Sequence, residues 1–165
     1  MRVAIIYHSL SGNTRRVAAL LAARLAGTAE TDFVEVHDQR QYSTLTAYAS
    51  GAPRAMRGEV AEIQPAEIDV GPYDVIVLGT PVWALAPTPA ARGAVAALRN
   101  AEGKEAAVYA TSGGGPSSAA EALGAALAAR GVRVRGTVQF ERTHLDDEAP
   151  MSTLVELVTR PPSAG

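Results

Sequence analysis

Short apolar segments that are typical of strands alternate with helical patterns along this chain. The clearest is residues 74–79, where Val75, Ile76, Val77 and Leu78 follow one another without a polar residue. Further segments of this kind are residues 2–7, 33–36, 105–111 and 132–140. Near-continuous apolar strands are typical of parallel sheets whose two faces are both covered by helices. The pattern therefore predicts an α/β fold with a five-stranded parallel sheet.

Helical patterns lie between the predicted strands. The apolar residues of the first helix stand at helical spacing: Val17, Leu20, Leu21 and Leu25. Gly27 follows where a C-terminal cap is expected. Thr88 and Pro89 predict another helix start, with the hydroxyl as cap and proline at the first helical position.

Two further helices are predicted in the second half of the chain. Ser118 and Glu121 match a capping box. The helix that follows them contains Leu123 and Leu127 and should end near Gly131. A last helix is marked by apolar residues at helical spacing: Leu154, Leu157 and Val158.

Residues 38–72 carry the weakest pattern. A structureless loop of this length is unusual in a compact domain, so we expect helical pieces around residues 42–48 and 55–63. Arg54 and Arg57 lie in this segment and could contact a ligand, although a helix that merely covers the sheet is the simpler interpretation.

Composition limits the classes of function. The chain has 165 residues, of which 47% are hydrophobic, a size and an apolar content that fit one domain over residues 1–160 with a flexible tail at 161–165. A net charge of −2 argues against a nucleic-acid partner. The absence of cysteine excludes disulfides and thiolate metal sites, and the histidines lack metal-ligand spacing. No apolar run is long enough to span a membrane, so we expect a cytoplasmic protein.

The loop after the first strand predicts a phosphate site. It contains Ser9, Leu10, Ser11, Gly12, Asn13 and Thr14, and it leads directly into the first helix. Free amides and the positive end of the helix dipole favour an anion there, and the hydroxyls add donors. Because the loop has no lysine, its neutral donors favour a phosphate that is held rather than transferred.

Two other unusual loops are predicted at the same edge of the sheet. Right-handed crossovers bring the carboxyl ends of parallel strands together, and ligands bind where the strand order reverses. In a sheet of order 2-1-3-4-5, that point lies between the first and third strands, next to the fourth. Residues 9–14, 81–89 and 111–118 follow these strands, so we expect the three loops to form one site.

These loops resemble those of flavodoxin-like FMN-binding proteins. Residues 9–14 fit the phosphate motif [ST]-x-[ST]-G-x-T, residues 79–83 read G-T-P-V-W, and residues 111–114 resemble the loop at the pyrimidine edge of the flavin. The resemblance covers nearly the whole chain. It implies strand order 2-1-3-4-5, helices on both faces, and FMN as cofactor.

The resemblance also implies a set of cofactor-binding residues and no catalytic side chain. The phosphate would be bound by residues of the first loop: Ser9, Leu10, Ser11, Gly12, Asn13 and Thr14. The ring would be walled by residues of the second loop: Pro81, Val82, Trp83 and Ala84. Its edge would be lined by residues of the third loop: Thr111, Ser112, Gly113 and Gly114.

The chain departs from electron-carrying flavodoxins in three respects. It is nearly neutral rather than strongly acidic, residues 83–87 contain no glycine, and residues 111–118 contain no aromatic residue. These departures favour a small flavin-dependent oxidoreductase over a dedicated electron carrier. In both cases the partner would be a redox protein or a small-molecule electron donor or acceptor. The alternative is a non-redox binding module that holds another phosphate ligand or a protein partner.

Overall fold

A twisted sheet of five parallel strands forms the centre of the molecule. The computed structural model describes residues 1–162, apart from the side chains of Thr44 and Tyr48; the end of the predicted tail, residues 163–165, lies outside the described residues. The strands are β1 Arg2–His8, β2 Glu30–Asp38, β3 Val75–Trp83, β4 Glu105–Ser112 and β5 Arg133–Glu141. Their order is β2-β1-β3-β4-β5, which confirms the predicted arrangement.

Four two-residue strands add detail that the sequence did not predict. Ile63–Gln64 pairs antiparallel with the end of β2, and Ala86–Pro87 pairs antiparallel with the end of β3. Ile68–Asp69 and Leu98–Arg99 form a separate parallel pair. The sheet is therefore mostly parallel rather than wholly parallel.

The helices cover both faces of the sheet. They are α1 Asn13–Leu25, α2 Thr44–Thr46, α3 Ala52–Met56, α4 Pro89–Ala97, α5 Ala119–Ala128 and α6 Glu148–Thr159. Helices α1 and α6 pack over one face, and α4 and α5 pack over the other. Because side chains alternate along a strand, Ile5 and Ile6 enter opposite cores, and both are fully buried. Each contributes about 1.5–3 kcal/mol by burial.

The segment between β2 and β3 only partly follows its prediction. Helix α2 and a π-helical turn at Ala47–Gly51 lie where the first helical piece was expected. The second piece, predicted at residues 55–63, is wrong beyond its first residues because α3 ends at Met56. Gly58 follows with a positive φ of 69°, and its amide donates to the Ala55 carbonyl, which closes the helix.

Arg54 anchors this segment to the sheet. Its guanidinium lies 3.0 Å from Oδ2 of Asp38, at the end of β2, and 2.7 Å from Oε2 of Glu59. The side chains of Arg54 and Asp38 are 9% and 4% exposed. Arg57 is mostly exposed and also pairs with Glu59. Both arginines are therefore paired with carboxylates of this segment, which supports the simpler interpretation of a covering element.

The two predicted caps have different outcomes. Thr88 caps α4 as predicted, because its Oγ1 accepts from the Ala91 amide at 3.2 Å. The capping box at Ser118 is wrong: the Ser118 side chain makes no cap hydrogen bond, and Glu121 accepts from the Thr137 hydroxyl instead. Ser118 has φ −100° and ψ 17°, outside the extended conformation that a capping serine needs.

Candidate functional site

The three predicted loops meet at the carboxyl edge of the sheet around a cavity of about 270 Å³. The cavity is lined by Leu10, Ser11, Asn13, Ala47, Ala52, Pro81, Val82, Trp83, Ala84, Thr111, Ser112, Gly113 and Arg142. Most of the predicted residues are thus brought together. Ser9, Gly12, Thr14 and Gly114 are not among the lining residues, and their contact with a ligand stays a prediction.

The first loop is closed by its own serine. Oγ of Ser9 accepts from the amides of Gly12 and Arg15, at 3.1 and 3.3 Å. Gly12 has a positive φ of 94° and stands at the N-cap of α1. The Ser9 hydroxyl therefore shapes the loop, while Ser11 and Asn13 line the cavity.

Thr14 joins the first loop to the third. Its buried Oγ1 lies 2.8 Å from Oγ1 of Thr111, across the sheet edge. The Tyr109 hydroxyl, from within β4, donates to the Thr14 carbonyl at 2.9 Å. These contacts fix the start of α1 relative to β4.

The second loop is a tight hairpin that the sequence did not reveal. Val82 pairs with Pro87 and Trp83 with Ala86, so that Ala84 and Leu85 form a two-residue turn. Both have positive φ, 49° and 66°, as in a type I′ turn. Such turns favour asparagine and glycine, and positive φ costs a residue with a Cβ about 1–3 kcal/mol. Because alanine and leucine give no turn signal, the sequence could not predict this hairpin.

Trp83 is held by packing on several sides. Its ring meets those of His8 and Tyr42 edge-on, with centroids 5.7 and 5.3 Å away. A Cβ added at Gly51 would lie 2.6 Å from Cζ3 of Trp83, so the chain passes directly against the indole. We call Trp83 and these three neighbours the tryptophan wall.

His8 is a neutral part of this wall. Its Nδ1 lies 2.9 Å from Oγ1 of Thr88. Since that oxygen already accepts from the Ala91 amide, the Thr88 hydroxyl can donate its proton to His8. Burial lowers the pKa of His8 from 6.5 to about 4. His8 is therefore uncharged at neutral pH and serves as packing for Trp83.

The third loop lines the cavity at the end of β4 and is held mainly by one side chain. Nε2 of Gln139, from β5, donates to the Gly115 carbonyl at 2.7 Å and to Oγ of Ser112 at 3.2 Å. Its Oε1 accepts from the amide and hydroxyl of Ser117. A Cβ added at Gly113 would meet no protein atom within 4 Å. We call residues 112–117 the glycine wall.

Arg142 is a lining residue that the sequence analysis missed. It directly follows β5, and its amide donates to the Ser112 carbonyl at 2.8 Å. Its position directly after the fifth predicted strand could have indicated this, because the end of that strand lies at the same edge of the sheet as the other loops. Among the described lining residues it alone is charged. Within residues 1–162, no carboxylate forms an ion pair with it.

The lining chemistry fits FMN. Ser11 and Asn13 offer neutral donors beside the start of α1, where the helix dipole favours an anion. Val82 and Trp83 supply an apolar wall for a flat ring. Open backbone at Gly113 lies where the ring edge could approach.

Sequence comparison assigns the family. The family model described as NADPH-dependent FMN reductase matches residues 1–145. The chain belongs to this family. A comparison with curated proteins gave no match.

Solved structures agree with the fold of this family member. A flavoprotein from Lactobacillus acidophilus in complex with FMN has 25% identity and a TM-score of 0.67, over 88% of this chain and 96% of the other. The two-electron reduced flavodoxin of Megasphaera elsdenii has 19% identity and a TM-score of 0.62, over 96% and 99% of the two chains. Rubredoxin oxygen:oxidoreductase from Desulfovibrio gigas has 14% identity and a TM-score of 0.64, over 94% of this chain and 34% of the other.

These findings confirm the flavodoxin-like fold, FMN as the cofactor and a redox function for this family member. The alternative of a non-redox binding module has no support from them. In the part of the chain that the structure describes, no helix is long and apolar enough to cross a membrane. Over the same residues, no group of three or more His, Asp or Glu side chains could hold a metal ion.

Proposed function

We propose that this protein is an FMN-dependent reductase that takes electrons from NADPH or NADH and passes them to a small acceptor. The bound flavin would supply the redox chemistry, and the protein would hold it and control access to it. The observation that carries the proposal is that the two walls of the cavity differ. One wall contains the ring of Trp83, which packs against those of His8 and Tyr42. The glycine wall contains no aromatic residue.

The first loop would hold the cofactor phosphate. Ser11 and Asn13 line the cavity next to the N-terminus of α1, where the helix dipole favours an anion. Thr14 would hold the loop in place rather than contact the phosphate, because its hydroxyl is hydrogen-bonded to Thr111. Neutral donors bind a phosphate without promoting its transfer, as a permanently held cofactor requires.

The two walls would enclose the flavin ring. Trp83 and Val82 give an apolar surface that excludes water from one side. Thr111 and Gly113 present backbone and hydroxyl groups to a ring edge. The glycine wall contains no aromatic residue, so a second flat group such as nicotinamide could approach from there.

No protein acid or base is needed for this reaction. The described lining residues include no Asp, Glu, His, Lys or Tyr. A hydride carries two electrons and a proton together from nicotinamide, so its transfer requires proximity and orientation rather than a protein proton donor. His8 is neutral and turned toward Thr88. This lining supports hydride chemistry over acid–base catalysis.

Anaerobic reduction tests the proposed activity. The purified protein is loaded with FMN, and NADPH or NADH is added without any second protein. We expect direct bleaching of the flavin absorbance. If dithionite bleaches the flavin but neither nucleotide does, the protein is an electron carrier that depends on a separate reductase, and the proposal fails.

Trp83 provides an independent test of the site. It is the only tryptophan, so FMN bound beside it should quench the protein's intrinsic emission. The Trp83 variants lack tryptophan, so their Kd for FMN is measured from the fluorescence of the flavin itself. Trp83→Ala should raise the Kd about tenfold, a loss of about 1.4 kcal/mol, while Trp83→Phe should retain most of the affinity. Phe33→Ala, which removes a half-exposed ring on β2, is the matched control. Equal affinity for Trp83→Ala and Phe33→Ala would place the flavin elsewhere.

We also infer that the protein works in the cytoplasm, where reduced nicotinamide nucleotides are available as donors. The chain's lack of cysteine is compatible with this location but does not require it. Cell fractionation followed by immunodetection tests the inference, and recovery in a secreted fraction would contradict it.

A further inference from the structure

We propose that Arg142 places its positive charge beside the pyrimidine edge of the flavin and makes the reduced cofactor easier to form. This inference rests on the placement of FMN in the proposed function. It concerns a residue outside the three loops that carried the sequence motifs, and it assigns that residue a role in setting the redox potential.

The backbone of Arg142 is fixed next to the glycine wall. Its amide donates to the Ser112 carbonyl at 2.8 Å, and Oγ of Ser112 accepts from Gln139 at 3.2 Å. The backbone of Arg142 therefore lies on the side of the cavity where the flavin edge is expected. Arg142 is exposed and lines the cavity.

The charge of Arg142 is available to a ligand. Two other arginines near this edge are paired with carboxylates: Arg15 with Glu35, and Arg54 with Asp38. Within residues 1–162, no carboxylate lies within ion-pair distance of Arg142. The described lining residues include no acidic side chain to cancel its charge.

The strand order places Arg142 at the ring end of the cofactor rather than at the phosphate. Strands β1 and β5 are separated by β3 and β4. Three strand spacings of about 4.8 Å give about 14 Å between the ends of β1 and β5. The phosphate would lie after β1, at the start of α1. Ser112, at the end of β4, is the neighbour of Arg142.

A cation in this position favours the reduced flavin. When a hydride adds to oxidised flavin, the ring gains two electrons and one proton, and the nicotinamide is oxidised. The ring then carries one additional negative charge, which is located at its N1–C2 oxygen edge. A guanidinium there stabilises the reduced form more than the oxidised form, because only the reduced form carries that charge.

The test compares Arg142→Gln, which removes the charge, with Arg142→Lys, which keeps it. Arg133→Gln is the matched control, since Arg133 lies at the other end of β5 and its guanidinium bonds the Gly103 carbonyl. Each variant is loaded with FMN and titrated with dithionite in the presence of redox dyes. Kd values for FMN and for riboflavin, which lacks the phosphate, are measured by quenching of Trp83 emission.

We expect Arg142→Gln to weaken binding of reduced FMN about tenfold relative to oxidised FMN. For a two-electron couple, this lowers the midpoint potential by about 30 mV. Arg142→Lys should restore most of the potential, and Arg133→Gln should leave it unchanged. Thermal melts of the variants check that the fold is intact.

Three results would overturn the inference. An unchanged potential in Arg142→Gln would show that the charge does not act on the ring. Weaker binding of FMN but not of riboflavin, with an unchanged potential, would make Arg142 a phosphate contact. If FMN fails to quench Trp83 in the unaltered protein, the placement of FMN in the proposed function fails as well. A shifted potential without bleaching by NADPH or NADH would refute only the proposed activity.

Discussion

The two walls of the cavity are built in different ways. The tryptophan wall is held by ring packing, with His8 and Tyr42 against Trp83. It is also held by the buried Arg54–Asp38 ion pair, because the Arg54 guanidinium donates to the Tyr42 hydroxyl. The glycine wall is held chiefly by the amide of Gln139, which bonds both Ser112 and Gly115. The tryptophan wall is thus fixed by buried contacts, and the glycine wall by hydrogen bonds on an exposed loop.

This difference assigns different roles to the two walls. Buried packing and paired charges contribute to the stability of the whole domain, whereas hydrogen bonds on an exposed loop mainly control local opening. We therefore expect changes in the tryptophan wall to alter global unfolding. Changes in the glycine wall should alter access to the cavity while the domain remains stable.

Removing Arg54 should produce the largest effect. Arg54→Met leaves the Asp38 carboxylate, whose side chain is 4% exposed, without its charged partner. We expect the free energy of unfolding to fall by about 3–5 kcal/mol in urea titrations. Arg57→Met, which removes an arginine whose side chain is 62% exposed, should cost less than about 1 kcal/mol. Similar losses in the two variants would mean that burial of the Arg54 pair is unimportant.

Acidification should weaken the tryptophan wall through His8. The unfolded chain protonates this histidine near pH 6.5, whereas burial lowers its pKa in the folded protein to about 4. Between these values the unfolded state binds more protons, so the free energy of unfolding decreases as the pH falls. The full shift corresponds to about 3 kcal/mol.

Urea titrations between pH 7 and pH 4 measure this effect. His8→Gln has no titrating group at this position, so its stability should depend less on pH over this range. An equally steep pH dependence in the variant would assign the loss to other groups.

Relieving the hairpin should stabilise the protein by a smaller amount. The double change Ala84→Asn and Leu85→Gly supplies residues suited to positive φ at both turn positions. We expect a gain of about 1–2 kcal/mol, seen as a higher melting temperature. Leu85→Ala trims the exposed side chain but keeps the unfavourable conformation, and it should change little. If the double variant melts at the original temperature, the turn carries no strain.

Loosening the glycine wall should have the smallest effect on global stability. Gln139→Met removes the hydrogen bonds to Gly115 and Ser117, at a cost of about 1 kcal/mol. Exchange of the Ser117 amide, which donates to Gln139, should accelerate about tenfold, and FMN affinity should fall. Thr137→Val, which removes another hydrogen bond from β5, is the control. Unchanged exchange in Gln139→Met would show that the loop is ordered by other contacts.

The sequence predicted what depends on local pattern. Apolar segments predicted the five-stranded parallel sheet, and the resemblance to flavodoxin-like proteins implied its strand order. The small polar residues after β1 predicted the candidate phosphate loop. It did not predict what depends on tertiary contacts. The capping box at Ser118 failed because the backbone there is not extended, and Gln139 orders the preceding residues from another strand. Arg142 has no local motif, and its relevance follows only from the position of β5 beside β4.

In the segment between β2 and β3, different residues attach the segment to the sheet and line the cavity. Arg54 attaches it through ion pairs with Asp38 and Glu59. Ala47 and Ala52 line the cavity. Substitutions at these two small residues can therefore change the shape of the cavity without disturbing the Arg54 ion pairs or the loop before α1. Under the proposed function, exchanging this segment would change which acceptors fit the cavity while leaving the phosphate loop intact.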